Sequence, residues 1–160
     1  MRIFWRTLFL AIVYCGSVTS SNAKNFAFNR RNLTAKSWDL RGTSFNSEEK
    51  KLYTKELPYF AIMQLKSNGK IDFFSGITNC KSGSWQMRGN TLSLTLVAKE
   101  KFEGLQNATK ATLHFTRNVI GQQESPFHKG KMLQVLTLEG KYRNIPIKYV
   151  LTEFEGMGGS

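Results

Sequence analysis

The sequence predicts an all-β fold: a single antiparallel β-barrel of about eight strands, with a β-sandwich as the alternative. Short segments of alternating apolar and polar residues recur along the chain, and no long stretch has the apolar spacing of a helix. Two such pairs follow each other within 59–98, each with a turn signal between its halves. Closure into a barrel would also remove unpaired edge strands. We therefore expect one barrel over residues 37–155.

The register of the first predicted hairpin, 59–74, follows from its side chains. A two-residue Asn-Gly turn would mix polar and apolar residues on both faces. A three-residue turn over 67–69, with Gly69 in the left-handed conformation, gives one apolar face and one polar face. The apolar pairs are then Leu65 with Ile71 and Met63 with Phe73.

The second predicted hairpin, 83–96, has a two-residue turn at Gly89-Asn90. This turn pairs Met87 with Leu92 and Trp85 with Leu94, and it leaves the polar residues between them on the other face. The two hairpins therefore present one continuous apolar face.

Four further strands are predicted, in the segments 37–41, 111–116, 132–139 and 147–154. In the segment 111–116 the alternation places Ala111, Leu113 and Phe115 inward and Thr112, His114 and Thr116 outward. The segments between strands are predicted to be loops, at 42–58, 99–109, 121–131 and 140–146. Within 42–55, one or two helical turns capped by Asn46 or Ser47 are the alternative.

The N-terminal residues 1–23 have the layout of a secretory signal peptide, with Arg2 and Arg6 before an apolar run and small residues ending at Ala23. The run is shorter than the roughly 20 residues of a membrane-spanning helix. Acylation at Cys15 is the alternative, although bulky Tyr14 precedes it. We expect a periplasmic or secreted protein without a transmembrane span.

The flanking segments of the mature chain are predicted to carry little structure. Residues 24–36 read as a basic lead-in that packs its phenylalanines loosely or not at all, and 156–160 as a flexible tail.

The chain of 160 residues has a formal net charge of +12. A positive charge of this size favours anionic partners such as an acidic lipid, an envelope surface or an acidic glycan. The basic residues are spread along the whole length, however, so a merely basic, soluble surface is the preferred interpretation. A nucleic-acid module usually concentrates its charge and interleaves exposed aromatics, so nucleic acid is not the expected partner. After removal of residues 1–23 the chain retains one cysteine, Cys80, and can form no internal disulfide.

Candidate catalytic residues are few. Cys80 could be a nucleophile with a pKa lowered by Lys81, but no partner motif supports catalysis, and a structural thiol is the preferred interpretation. His114 and His128 show no metal-ligand spacing. We expect no enzyme activity, no metal and no cofactor.

Four strings within 37–98 form a recurring pattern. They are Ser37-Trp-Asp-Leu-Arg-Gly42, the apolar strand from Phe60 to Leu65, Asn68-Gly69, and Gly83-Ser-Trp-Gln-Met-Arg-Gly-Asn-Thr-Leu-Ser-Leu94. The chain thereby resembles the lipocalin-like domains, which implies an extracytoplasmic barrel and transfers no catalytic residues. A second set, Ser75-Gly76, Thr78-Asn79-Cys80 and Gly83-Ser84-Trp85, is similar to motifs of envelope-associated META-domain proteins.

Two functions remain open at this stage. The barrel interior could bind a small apolar ligand or an envelope lipid, or it could be a packed core. Alternatively, loops 42–58 and 121–131 could bind a protein, as in an inhibitor of a secreted hydrolase or an envelope-stress component. The candidate ligand-binding residues of the interior are Trp38, Met63, Leu65, Phe73, Trp85, Leu94, Leu113 and Phe115.

Overall fold

A computed structural model describes residues 26–40, 57–99 and 110–156. The described chain contains a short helix and eight strands. They are α1 (Arg30–Thr34), β1 (Ser37–Asp39), β2 (Phe60–Leu65), β3 (Lys70–Thr78), β4 (Cys80–Arg88), β5 (Thr91–Ala98), β6 (Lys110–Glu124), β7 (Met132–Tyr142) and β8 (Ile145–Glu153). The predicted signal peptide, most of the predicted loops 42–58 and 99–109 and the end of the predicted tail lie outside the described residues.

The strands form a closed antiparallel barrel in sequence order, which confirms the predicted fold. Closure depends on the three-residue strand β1, which pairs with β2 on one side and β8 on the other. Trp38 is the central residue of this strand and is opposite both Met63 and Glu153. Its side chain has no exposed surface.

Both predicted hairpin registers are confirmed. Leu65 pairs with Ile71 in the first hairpin, and Gly69 has a φ of +83°. Trp85 pairs with Leu94 in the second, where Gly89 has a φ of +57°. Each turn therefore has glycine at the position where a side chain would be strained.

The lead-in 24–36 is more ordered than predicted, since part of it packs against the core. Phe26 forms an isolated bridge with Ile120, and helix α1 begins after Asn29, whose side chain accepts a hydrogen bond from the amide of Asn32 at 2.9 Å. Leu33 on this helix is completely buried. A five-residue helix is too short to show an apolar periodicity, so the pattern gave no signal.

Two predicted loops are shorter in the structure. Strand β6 continues through Glu124, so the predicted loop 121–131 is reduced to 125–131. The predicted connection 140–146 is a two-residue turn in which Arg143 and Asn144 have positive φ angles of 46° and 66°. Left-handed Asn-containing turns of this kind close hairpins as Asn-Gly does. We missed it because no glycine marks the turn.

Gly140 on β7 provides a test of this packing. It lies opposite Phe115 of β6, next to a register shift between Phe115 and Arg117, and a Cβ atom there would be 1.9 Å from the carbonyl oxygen of His114. Since that contact is with backbone, Gly140→Ala is expected to lower the free energy of unfolding by about 2–3 kcal/mol in urea denaturation. Gly121→Ala, where a Cβ meets nothing within 4 Å, is the control and should change it by less than about 0.5 kcal/mol. Equal effects would contradict this interpretation.

Candidate functional site

The barrel interior is packed at the residues predicted to bind a ligand. Phe73 is partly buried, and the other seven are at most 2% exposed: Trp38, Met63, Leu65, Trp85, Leu94, Leu113 and Phe115. A cavity large enough for water would leave accessible surface on the side chains that form its wall. These seven side chains therefore fill the interior and do not border open space.

An aromatic cluster that the sequence did not reveal completes this core. Tyr149 of β8 has no exposed surface, and its ring centroid lies 5.1 Å from that of Phe115 and 6.1 Å from that of Phe60. Phe60 in turn lies 5.6 Å from Phe73. Tilted and edge contacts at these distances add to the stabilisation from burial. Tyr149 lies in the predicted strand 147–154, where apolar and polar residues do not alternate cleanly. The sequence therefore did not show which of its residues face inward.

Helix α1 closes the barrel at the tip of the first hairpin. The indole nitrogen of Trp38 donates to the carbonyl of Leu33 at 3.0 Å. Arg30 donates to the carbonyl of Ser67 at 2.7 Å, and its guanidinium lies 4.7 Å from the ring centroid of Trp85. The helix therefore covers this end of the interior.

The pairing of β3 with β4 is short. Among the described residues Lys70 pairs with Ser84 and Ile71 with Gly83, whereas β4 and β5 share eight pairs. Beyond Ile71 the strands border a cleft of about 540 Å³, lined in part by Phe73, which is partly buried, and by Phe74, which is 41% exposed. We refer to this region, Asp72–Thr78 facing Cys80–Ser82, as the β3–β4 seam.

The loop 125–131 holds an exposed aromatic side chain on a hydrogen-bonded frame. Phe127 is 81% exposed. The hydroxyl of Ser125 accepts from the amides of Phe127 and His128, each at 3.1 Å, and donates to Glu155 Oε2 at 2.7 Å.

Further bonds fix both ends of this loop. The amide of Ser125 donates to the carbonyl of Lys131 at 2.7 Å, and that of Lys131 donates to the carbonyl of His128 at 3.0 Å. The amide of Gly130 donates to Glu124 Oε1 at 2.7 Å. The loop backbone is therefore held in one conformation. The sequence contained one signal for an exposed aromatic side chain here, namely a phenylalanine within a polar loop that contains proline and glycine.

Cys80 is a buried structural thiol. It is 4% exposed, and its Sγ donates to the carbonyl of Tyr59 at 3.4 Å. Burial raises the pKa of the thiol to about 12, although the Thr78 hydroxyl and the charge of Lys99 act in the opposite direction. The suggestion that Lys81 lowers this pKa is therefore wrong.

The two histidines lie on the outside of the barrel. His114 is exposed on β6, and its Nδ1 is 2.9 Å from the hydroxyl of Ser93. His128 is exposed in the loop 125–131. Neither ring is placed to activate the buried thiol. Among the described residues, no group of three His, Cys, Asp or Glu side chains is arranged to hold a metal ion.

The part of the chain that the structure describes has no helix with the length and apolarity needed to span a membrane. No protein-family model, curated protein or solved structure matches this chain. The resemblance to lipocalin-like and META-domain proteins therefore stays a prediction.

The raised pKa of Cys80 predicts a loss of stability in alkali. Folding keeps this thiol neutral, whereas an ordinary cysteine ionises near 9.0. The neutral thiol therefore contributes its full share to the free energy of unfolding below pH 9.0, and this share is lost as the pH rises toward about 12. Between pH 8 and pH 10 the free energy of unfolding should fall by about 1 kcal/mol more in the wild type than in Cys80→Ala. Urea denaturation at the two pH values measures both slopes, and parallel slopes would show that the thiol is not protected.

Proposed function

We propose that this protein is an exported, non-enzymatic interaction module that binds a protein partner through the loop 125–131. The single observation that carries the proposal is the 81% exposure of Phe127 on a loop whose backbone is fixed by internal hydrogen bonds. The filled interior supports it, because a packed core leaves the surface as the place to bind. Export is proposed from the signal-peptide pattern of 1–23.

A rigid loop with a projecting aromatic ring has the properties of an interface anchor. Aromatic side chains that enter a pocket of the partner supply much of the binding energy in protein interfaces. A loop that is already fixed loses little conformational entropy on binding. Ser125 provides this rigidity, since one hydroxyl holds two loop amides and the carboxylate of Glu155.

The charge around Phe127 favours a protein over an anionic membrane. Lys131 is paired with Glu155, with Nζ 2.6 Å from Oε1, and the pKa of Glu155 is lowered chiefly by its hydrogen bond with Lys131. Glu124 at the base of the loop, whose carboxylate accepts from the amide of Gly130, is a second acidic group next to the loop. Membrane-binding loops combine apolar tips with an excess of basic residues, which this loop lacks. A secreted hydrolase or an envelope protein with an apolar pocket is the class of partner that fits.

Replacing Phe127 is expected to abolish partner binding without affecting the fold. The tagged mature chain would be used to isolate partners from the secreted and envelope fractions, and each purified partner would be titrated by calorimetry. Phe127→Ser should weaken binding by about 30-fold or more, as for an aromatic hot spot. Ser125→Ala, which retains the ring and removes two loop hydrogen bonds, should weaken it by about tenfold.

Val119→Ser is the matched control, since Val119 is also apolar and 53% exposed but lies on strand β6. It should leave the affinity unchanged, and Phe127→Ser and Val119→Ser should unfold at the wild-type urea concentration. Ser125→Ala should remain folded but unfold at a lower urea concentration, because its buried hydroxyl makes three hydrogen bonds. A partner that binds Phe127→Ser as tightly as the wild type would overturn the role of the loop.

The β3–β4 seam favours a second candidate function, binding of a small apolar ligand. The interior is packed in this structure, but it could admit a ligand if β3 and β4 separated along the seam. Two residue pairs join these strands. Phe73 lies over the seam, where a Cβ on Gly83 would be 2.8 Å from its ring. The side-chain amide nitrogen of Asn79 is buried there without a hydrogen-bond partner among the described residues.

Native mass spectrometry of residues 24–160 from an exporting host distinguishes the two candidates. If the seam admits a ligand, the protein should retain one apolar molecule, and Phe73→Ala should exchange it with an added fatty acid faster than the wild type does. Val119→Ala serves as the control. A ligand-free mass, with no uptake of the fatty acid, would contradict the ligand-binding candidate and leave the interaction module.

A further inference from the structure

An ordered row of outward-facing residues, polar except for Pro146, crosses the outside of the barrel from β4 to β8. Consecutive cross-strand pairs join the members of this row: Gln86, Ser93, His114, Lys141 and Pro146. A second row on β6–β8 consists of Arg117, Glu139 and Lys148. Because alternate residues of a strand face the same side, these rows share the outer surface.

The surface is concave along these rows. One cleft of about 430 Å³ lies over β4–β6 and is lined by residues that include Gln86, Arg88 and Ser93. Another of about 700 Å³ lies over β6–β8 and is lined by residues that include Arg117 and Lys148. His114 lines both clefts. We call the two together the polar groove.

The charge of the polar groove is strongly positive. Four of its lining residues are cationic, namely Arg88, Arg117, Lys141 and Lys148, and one, Glu139, is acidic. Glu139 Oε1 lies 2.8 Å from Lys148 Nζ, and the hydrogen bond and charge of Lys148 lower the pKa of this carboxyl, so it stays ionised. The charge of Arg117, the cross-strand neighbour of Glu139, also lowers this pKa. Among the described residues that line the groove, four cations share one carboxylate, which gives a net charge of +3.

Hydroxyl groups lie between these charges, and several are already oriented. The hydroxyl of Thr95 is 3.1 Å from that of Thr112, and the hydroxyl of Ser93 is 2.9 Å from His114 Nδ1. Such groups both donate and accept hydrogen bonds. The groove therefore combines neutral hydrogen-bonding groups with separated cations along two adjoining clefts that share His114.

We propose that the polar groove binds an acidic polysaccharide, with hydroxyl and amide side chains bonded to sugar hydroxyls and the cations bonded to carboxylate or sulfate groups. Arg117 and Arg88 would form the forked contacts that suit such anions, and Lys141 would act as a point charge. This site is separate from the loop 125–131 and does not depend on the partner proposed for it.

Two features of the groove favour a glycan over other anionic polymers. Single-stranded nucleic acid is bound largely by stacking on exposed aromatic rings. Among the described residues that line the groove, the indole of Trp85 is 2% exposed, and neither phenylalanine nor tyrosine is present. A membrane surface is flat on this scale and would not fill a concave site. A polypeptide of acidic residues would use the cations alone and leave the row of hydroxyls unused.

Isothermal titration of the mature chain with defined oligosaccharides tests the proposal. The probes are an oligogalacturonate, a sulfated dextran oligomer, the carboxyl-reduced form of the oligogalacturonate and a polyglutamate of equal charge. We expect at least one of the two acidic sugars to bind, and its affinity should exceed those of the reduced sugar and polyglutamate by about tenfold or more. The preferred acidic sugar identifies the anionic group. Polyglutamate binding as tightly as the sugars would overturn the glycan assignment.

A charge-matched pair of variants separates the groove from the general basicity of the chain. Arg117→Gln/Lys141→Gln/Lys148→Gln removes three cations from the groove. The control Arg31→Gln/Lys81→Gln/Lys129→Gln removes the same number and types of charge from exposed positions elsewhere. The groove variant should lose about 30-fold in affinity for the acidic sugar and the control less than about threefold.

A third variant tests the hydroxyl groups. Ser93→Ala/Thr95→Val retains every charge and should weaken binding of the acidic sugar by about tenfold while leaving residual polyglutamate binding unchanged. Circular dichroism and urea denaturation confirm that each variant is folded. Absence of binding to both acidic sugars, or equal losses in the two triple variants, would overturn the proposal.

Discussion

The pairing of β1 with β8 is the contact on which the rest of the barrel depends. Strand β1 has three residues, so few backbone hydrogen bonds hold the first and last strands together. Trp38 strengthens this junction, because its buried ring packs in the core and its indole donates to Leu33. Lys36 and Glu153 form an ion pair beside it. Burial of one tryptophan, worth several kcal/mol, thus compensates for a short ladder.

A packed interior determines where function can reside. In a barrel of eight strands the same inward positions can either fill the space or border a cavity. Here bulky residues such as Phe115 and Tyr149 meet at the centre, and α1 covers one end. The proposed interaction module and the proposed glycan site therefore use the outside of the barrel, at a loop tip and at two clefts on the sheet. The ligand-binding candidate instead requires the β3–β4 seam to open into the interior.

The sequence predicted the elements whose local chemistry decides their geometry. Gly69 and Gly89 are turn residues between alternating strands, so both registers followed from the side chains. It failed where geometry depends on distant contacts. Leu33 is buried because helix α1 packs against the end of the barrel. No pattern in the neighbouring sequence indicates this packing.

The polar groove was hidden for a related reason. Its residues come from five strands, and their proximity depends on the register of each neighbouring pair. His114 was recognised as an outward residue, yet nothing local placed Lys141 beside it. The loop 125–131 was predicted in position but overestimated in length, because the polar residues at the end of β6 look like a loop when they form an exposed strand.

If the chain is exported, as proposed from the pattern of residues 1–23, the order of the strands has a consequence for how it folds. Hairpins such as β2–β3 and β4–β5 involve neighbours in the chain and can form as soon as both strands emerge from a translocation channel. Strand β1 must wait for β8, which lies near the other end of the described chain. Until then the apolar face that carries Trp38 stays uncovered and can aggregate. Folding would thus finish only after nearly the whole chain has crossed the membrane. The rate at which β8 pairs with β1 then sets the time during which the protein can aggregate.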